Sequence, residues 1–250
     1  MRIIAIVNLK GGVAKTTTAI NTAHILAAVH GKRVLVVDAD SQCNLTEFMC
    51  RDNFHVSTFS DLLRNKKPCE CIELSRFKNI DILPADEQLM DLDLTKVEAR
   101  AADAKCLKTL LSDKGCELYD YVIIDCPPAF NAASCAALIA ADSVVIPMKL
   151  DAFSLRGMGN IMRQIKNMQR INPRLKVAGI LPVMYYKDKQ IDSAEETLKK
   201  SGLKVYPHIR RTPTVDKMTF RREPILVSSP LSAAAKDYQE FVEVLIDERV

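Results

Sequence analysis

Short runs of apolar residues alternate along the chain with segments in which apolar residues recur every three or four positions. The runs are typical of strands buried on both faces of a sheet, and the periodic segments are typical of amphipathic helices. We predict strands at Ile3–Val7, Val34–Val37, Ile80–Leu83, Tyr121–Ile124, Val144–Pro147 and Val177–Leu181. We predict helices at Thr16–His30, Gln88–Leu111, Asn131–Ala140, Ser154–Ile171, Ile191–Ser201 and Leu231–Ile246. This alternation predicts an α/β fold, with a mostly parallel, twisted sheet and helices on both faces, in a single domain over residues 1–250.

A glycine-containing loop lies between the first predicted strand and the first predicted helix. It reads Lys10-Gly11-Gly12-Val13-Ala14-Lys15-Thr16-Thr17. Glycines let backbone N–H groups turn toward a phosphate, and the N-terminus of the following helix adds partial positive charge. The pattern predicts a phosphate loop in which Lys15 reaches the β- and γ-phosphates of ATP and the Thr16 hydroxyl ligates Mg²⁺. The alternative interpretation is a glycine-rich turn before a helix.

The loop departs from the usual pattern G-x-x-x-x-G-K-[ST], because Leu9 and Ala14 stand where its two glycines would be. The spacing instead resembles the deviant Walker A motif K-G-G-x-x-K-[ST] of the ParA/MinD superfamily of P-loop NTPases. The resemblance implies that residues 10–17 bind the nucleotide, and that Lys10 crosses a homodimer interface to the phosphates bound by the partner. The alternative for Lys10 is a solvated lysine. Alanine in place of glycine at position 14 predicts a negative φ there.

Three aspartates lie at or just beyond the carboxyl ends of predicted strands, where open α/β sheets bind their ligands. Asp38 and Asp40 follow the second strand, and Asp125 follows the fourth. Asp125, in Asp125-Cys126-Pro127-Pro128, resembles a Walker B aspartate that holds Mg²⁺ through its water shell. Asp40 matches the switch I aspartate that positions the attacking water, and Asp38 is expected near the metal or the dimer contact. The alternative for each is a helix-capping or turn aspartate.

The expected chemistry is in-line attack of water on the γ-phosphate, with Lys10, Lys15 and Asp40 as the catalytic residues. None of the residues in these motifs is typical of a strong general base, so we expect slow intrinsic hydrolysis. By analogy with the family, we expect the adenine near Pro182–Met184 and Pro207–Arg211.

Basic residues are concentrated between positions 204 and 222. That segment holds six basic side chains against one acidic side chain, whereas the remaining 29 basic and 30 acidic residues nearly cancel. A local basic patch is typical of binding to nucleic-acid phosphates. ParA-type proteins bind DNA without sequence preference, and the alternatives are a solvated charged face or contacts to the nucleotide. The candidate DNA contacts are Arg210, Arg211, Lys217, Arg221 and Arg222.

The resemblance extends from residue 2 to about residue 246 and is greatest to the short ParA/Soj type, without an N-terminal helix-turn-helix extension. It implies an ATP-dependent switch for DNA segregation: the ATP-bound homodimer binds DNA nonspecifically, and a ParB-like adaptor protein stimulates hydrolysis. The expected location is cytoplasmic and nucleoid-associated, with no membrane partner. The resemblance does not distinguish between four kinds of cargo: a plasmid, a chromosome, a mobile element and a protein cluster.

Two other functions remain as alternatives. A MinD-like positioning ATPase would need a basic amphipathic membrane helix at the C-terminus, but the last predicted helix runs into Asp247-Glu248-Arg249 and its apolar stripe is typical of core packing. A small-molecule ATP-dependent enzyme of the same superfamily would act without a macromolecular partner. The eight cysteines lack the spacing of a zinc site, so we expect reduced thiols.

Overall fold

One sheet organises the residues that the computed structural model describes, which are 1–51, 57–64, 71–92 and 105–247. Its strands are β1 Arg2–Ile6, β2 Val34–Asp38, β3 Glu73–Leu74, β4 Ile80–Leu83, β5 Tyr121–Asp125, β6 Ser143–Lys149 and β7 Lys176–Val183. They lie in the order β3-β4-β2-β5-β1-β6-β7. Every neighbouring pair is parallel except β3 with β4, which is antiparallel. The sheet is therefore mostly parallel, as predicted.

The helices lie between these strands or after the last of them in the chain, and they cover the two faces of the sheet. They are α1 Lys15–Ala28, α2 Asn44–Met49, α3 Phe59–Leu63, α4 Leu89–Leu92, α5 Cys106–Leu111, α6 Ala132–Ala140, α7 Ala152–Gln169, α8 Lys189–Lys199, α9 Thr214–Arg221, α10 Ile225–Ser228 and α11 Ala233–Asp247. A short 3₁₀ helix spans Lys114–Leu118.

Alternate residues of β1 contribute to two separate apolar cores. Ile3 and Ala5 belong to the core that includes α6 and part of α7, whereas Ile4 and Ile6 belong to the core that includes α1 and α11. Successive side chains of a strand point to opposite faces, so a strand with helices on both faces must be apolar at every position. This explains why β1 and β2 are continuous apolar runs rather than alternating ones.

Register brings the strand ends of the central sheet together. In the parallel pairing of β5 with its two neighbours, Asp125 is the register partner of both Ile6 and Asp38. The loop after β1, the loop after β2 and the end of β5 therefore meet at one edge of the sheet.

The sequence-based prediction of the regular elements is largely confirmed. All six predicted strands are present, and five of the six predicted helices are found with ends within two residues of the prediction. The sixth prediction, Gln88–Leu111, contains α4 and α5, while residues 93–104 lie outside the described residues. The short elements α2, α3, β3, α9 and α10 were not predicted, because segments of two to eight residues carry too little periodicity.

The last helix packs into the core, as predicted. Its buried side chains include Tyr238, Phe241 and Leu245, each at most 1% exposed. Its apolar stripe is thus covered by protein. Across the ranges that the structure describes, no helix is both long and apolar enough to cross a bilayer.

Candidate nucleotide-binding site

The loop between β1 and α1 places two residues in the left-handed backbone region. Gly12 has φ of 68°, and Ala14 has φ of 58° and ψ of 33° immediately before the helix. The prediction of a negative φ at position 14 was wrong. The chain must turn sharply to bring the loop over the helix N-terminus, and the turn requires this conformation whichever residue is present. An L-residue there has a strain that glycine lacks, on the order of 1–2 kcal/mol.

Lys15 lies folded back into the loop. Its side chain is buried, at 7% exposed for the residue, and its ammonium donates to the Lys10 carbonyl at 3.3 Å. Burial lowers the pKa of Lys15, while Asp125, Asp40 and Cys126 act in the opposite direction. The ammonium therefore lies within a largely enclosed group of acidic side chains and can neutralise negative charge at the loop.

Asp125, at the end of β5, is a fully buried carboxyl group. Among the described residues, neither of its carboxylate oxygens has a partner with ordinary geometry. Burial, and next the neighbouring Asp38, raise the pKa of Asp125 well above its usual range, and Thr16 and Lys15 lower it. Buried polar atoms in native proteins are nearly always satisfied. An orphaned carboxylate beside the Thr16 hydroxyl fits a hydrated Mg²⁺, which is commonly held by one or two side chains together with phosphates and water.

Asp38 organises the loop that follows β2. It is fully buried, accepts hydrogen bonds from the Thr46 amide and hydroxyl, both at 2.8 Å, and also accepts one from the Asp40 amide at 3.1 Å. Burial raises the pKa of Asp38 to about 6, although these hydrogen bonds oppose the shift. The Thr46 hydroxyl in turn accepts from the Ala85 amide at 2.8 Å. Asp38 therefore ties α2 and the loop before it to the sheet.

Asp40 lies two residues further along and is 9% exposed. Its carboxylate accepts from the Gln42 amide at 3.1 Å, and its carbonyl accepts from the Cys43 amide at 2.9 Å. These bonds fix a tight turn before α2, and the Asp40 carboxylate keeps further acceptor capacity with which it could orient a water. Sequence reasoning missed Thr46, because nothing in its local pattern distinguishes it from an ordinary helical threonine.

Lys10 is held within its own chain by the first turn of α7. Its ammonium contacts the two Asp151 oxygens at 2.8 and 3.0 Å and the Ser154 hydroxyl at 3.1 Å. Asp151 is also the N-cap of α7, accepting from the Ser154 amide at 2.8 Å. Partial burial of Asp151 raises the pKa of its carboxyl group, but hydrogen bonds from Lys10 and Ser154 have a larger, opposite effect. The net result is a pKa of about 2 for Asp151. Neither partner of Lys10 was predicted from the sequence.

A cavity of about 340 Å³ adjoins the loop on the side of β7. It is bounded by Ala14 and Thr17 of the loop and helix, by Met184 after β7, and by residues between Ile209 and Asp216. Its lining includes Val183, Met184 and Ile209 to Arg211, which belong to the two segments expected near adenine. A second cavity of about 230 Å³ is lined by Thr16, Thr17, Ile20, Asn44, Glu47, Phe48, Thr219 and Arg222.

The basic residues of the 204–222 segment differ in their surroundings. Arg210 is bound to Asp237 by its guanidinium, at 2.6 to 3.1 Å, and by its backbone amide at 2.9 Å. Lys217 and Arg221 are exposed on α9, and Arg211 is exposed in the segment before it. Arg222 ends α9 with φ of 50°, a position where glycine is the usual residue.

Comparison with known proteins finds relatives that match nearly the whole chain. A family described as "AAA domain" matches residues 1–177. "Chromosome partitioning protein ParA" of Caulobacter vibrioides is 32% identical over 100% of this chain and 96% of its own length. "Sporulation initiation inhibitor protein Soj" of Bacillus subtilis is 32% identical over 97% of each chain. The cobyrinic acid a,c-diamide synthase of Mycobacterium smegmatis, solved with an ATP analog and magnesium, is 31% identical with a TM-score of 0.80, covering 98% of this chain and 94% of the synthase.

Proposed function

The chain belongs to the ParA/MinD superfamily of P-loop ATPases, and on this premise we propose that it is a switch for DNA segregation, in which the ATP-bound homodimer binds DNA nonspecifically. It is an ATPase of the partitioning family, and its cofactors are ATP and Mg²⁺.

The proposed nucleotide contacts follow from the loop and the strand ends. The backbone of residues 10–17 and the Lys15 ammonium hold the phosphates of ATP, and the adenine occupies the 340 Å³ cavity. Thr16 and Asp125 hold Mg²⁺, with Asp38 beside them as the buried anchor of the loop. Mg²⁺ held there would supply positive charge against the γ-phosphate, and the Asp40 carboxylate would orient the attacking water.

The position and exposure of Lys10 support the proposed homodimer. Its ammonium lies at the loop but contacts Asp151 and Ser154, rather than the carboxylates around Lys15. A lysine that is only partly buried, at 39% side-chain exposure, can move to phosphates bound by a second copy. There it would stabilise transition-state charge in the manner of an arginine finger.

The position of α9 is the observation that best supports ATP-dependent DNA binding. Pro213, Val215 and Asp216, at its start, line the cavity beside the loop, while Lys217 and Arg221 are exposed on the same helix. Arg222, at its end, lines the second cavity together with Thr16. A change at the nucleotide can therefore reposition the basic residues directly. Arg211, Lys217 and Arg221 are the principal proposed phosphate contacts, and the salt bridge of Arg210 with Asp237 gives that residue a structural role as well.

The decisive experiment is a mobility shift of nonspecific duplex DNA without nucleotide, with ADP and with ATP, each at two salt concentrations. We expect binding only with ATP, weakened by salt and by Arg211→Ala. Lys15→Ala should abolish ATP turnover, and Lys10→Ala should abolish ATP-dependent dimerisation. Equal DNA binding in all three nucleotide states, or none in any, would contradict the proposal while leaving the ATPase assignment intact.

Stimulation of hydrolysis by the proposed ParB-like adaptor is measured by ATP turnover with and without that protein. Slow turnover in the absence of a partner, and acceleration by a DNA-binding protein encoded beside this one, are the expected results. Acceleration should require both ATP and DNA, because the partner acts on the DNA-bound dimer.

A small-molecule enzyme is the second candidate, because the cobyrinic acid a,c-diamide synthase is as similar in sequence as the partitioning proteins. An enzyme of this kind would turn over ATP only with its small substrate and would not bind DNA. Metabolite-dependent phosphate release without DNA binding would favour it over the segregation switch.

A further inference from the structure

The most exposed large apolar side chain in the described part of the chain lies within the basic segment. Phe220, near the end of α9, is 91% exposed. An isolated exposed apolar residue is ordinary on a protein surface. Phe220 differs because three basic residues lie within three positions of it: Lys217 and Arg221 on the same short helix, and Arg222 directly after it.

The rest of α9 explains why the phenylalanine must face outward. Met218 is fully buried, accepts a hydrogen bond on its sulfur from Asn21 at 3.3 Å, and fixes the rotation of the helix. The remaining apolar residue of the helix, Val215, packs against the same core. With those two positions facing inward, the ring of Phe220 projects from a surface of cationic side chains.

We infer that Phe220 stacks on the bases of duplex DNA, by partial insertion between base pairs, while the neighbouring basic residues hold the phosphates. This rests on the proposed function and specifies how the DNA is held. Apolar wedges inserted between base steps, flanked by basic residues, are a common device of proteins that bind DNA without reading its sequence. Stacking suits nonspecific binding because every base has an aromatic face.

Two other occupants of this surface fit the charges less well. In a two-fold symmetric interface the same surface of each copy faces the other. A second copy of the chain would therefore place two identical basic segments against each other, and they would repel. A membrane-binding helix needs a continuous apolar face, whereas Phe220 is the one exposed apolar residue on α9. Duplex DNA supplies both the negative charge and a flat apolar surface.

The chain contains no tryptophan, so Phe220→Trp introduces a single fluorophore at the proposed contact. With ATP, we expect duplex DNA to quench and shift its emission, and inorganic polyphosphate, which has the charge but no bases, to leave it unchanged. Ile171→Trp, at an exposed position beyond the end of α7, is the control and should respond to neither. Equal responses to DNA and polyphosphate, or a response to anionic phospholipid vesicles, would overturn the inference.

Affinity measurements separate stacking from charge. Phe220→Ala should weaken DNA binding about tenfold, a loss within that found when a side chain that stacks on single-stranded nucleic acid is removed. It should not change the dependence of affinity on salt. Arg221→Ala should reduce the slope of log affinity against log salt by about 1, because it removes one phosphate contact. ATP turnover without DNA should be unchanged in Phe220→Ala. If wild-type protein fails to bind DNA, the proposed function fails; if it binds and Phe220→Ala binds equally well, only the stacking inference fails.

Discussion

Lys10 and Asp151 form an ion pair across 141 positions of the sequence, with the ammonium 2.8 Å from one carboxylate oxygen and 3.0 Å from the other. The pair joins the phosphate loop to the N-cap of α7. If Lys10 must reach a second copy, this contact competes with dimerisation.

Asp151→Asn should therefore strengthen ATP-dependent dimerisation. Asparagine is also a good N-cap and keeps the bond to the Ser154 amide, but it no longer holds Lys10 by charge. A partly exposed ion pair contributes at most about 1 kcal/mol, and dimerisation would break one such pair in each subunit. We therefore expect the dissociation constant of the dimer to fall by up to about thirtyfold. Sedimentation velocity over a range of concentrations with ATP measures this. Asp188→Asn, which changes the N-cap of α8 in the same way, should have no effect. Weaker dimerisation in Asp151→Asn would show that Asp151 instead prepares Lys10 for the partner.

Asp38 should make stability depend on pH in the metal-free protein. Its pKa is raised to about 6 in the folded state by burial, against about 4 when unfolded. A carboxyl with a raised pKa contributes most stability below about pH 4 and loses that contribution as the pH rises through about 6. The asparagine of Asp38→Asn does not titrate. Between pH 4 and pH 7 the free energy of unfolding of this variant should therefore rise by roughly 2–3 kcal/mol relative to that of the wild type.

Urea denaturation of both proteins in EDTA at the two pH values tests this expectation. Losing the hydrogen bonds to Thr46 changes the unfolding free energy of Asp38→Asn by the same amount at each pH. The difference in unfolding free energy between the two proteins therefore varies with pH only through the titration of Asp38. A difference that does not vary with pH would mean that Asp38 is not the titrating group.

Ala14→Gly should stabilise the fold. Glycine adopts the left-handed conformation of position 14 without the side-chain clash. The strain energy that is removed exceeds the entropic cost of ordering glycine, which is more flexible in the unfolded chain, so the free energy of unfolding should rise by roughly 1 kcal/mol. Thermal and urea unfolding would detect it. Ala194→Gly in α8 is the matched control and should have the opposite sign, at about 1 kcal/mol of destabilisation, because its backbone is helical. A loss of stability in Ala14→Gly would mean that the loop tolerates alanine without strain.

Arg210 and Arg211 should be separable by experiment, although they are neighbours. Removing Arg210 leaves the buried Asp237 without its guanidinium partner, which should cost roughly 1–3 kcal/mol of unfolding free energy. Arg211→Ala should leave stability nearly unchanged and should reduce the salt dependence of DNA binding. Denaturation midpoints and salt titrations on the same two proteins give both quantities. Equal effects of the two substitutions on the salt dependence would assign the guanidinium of Arg210 to DNA as well.

The parts of this molecule that could be predicted from sequence are those specified locally. The strand, loop and helix around Lys15 were predicted because a buried apolar run, the glycines and an amphipathic helix all lie within 28 residues. The contact of Lys10 with Asp151 could not be predicted, because it depends on β1 and β6 being adjacent in the sheet. The edge strand β3 is two residues long and pairs on one side, so it carries no usable pattern. The backbone of Ala14 was predicted wrongly, because the loop geometry outweighed the preference of the residue.

The pairing of Asp38 with Asp125 at the ends of β2 and β5 has a consequence for the lifetime of the protein in the cell. Two buried carboxyl groups held side by side repel each other, and the divalent cation proposed to lie beside them would remove that repulsion. Nucleotide and magnesium therefore act as folding ligands, which raise the free energy of unfolding in proportion to the logarithm of their concentration. When ATP is depleted, the chain should open more often and be degraded faster, so its abundance would follow the energy status of the cell.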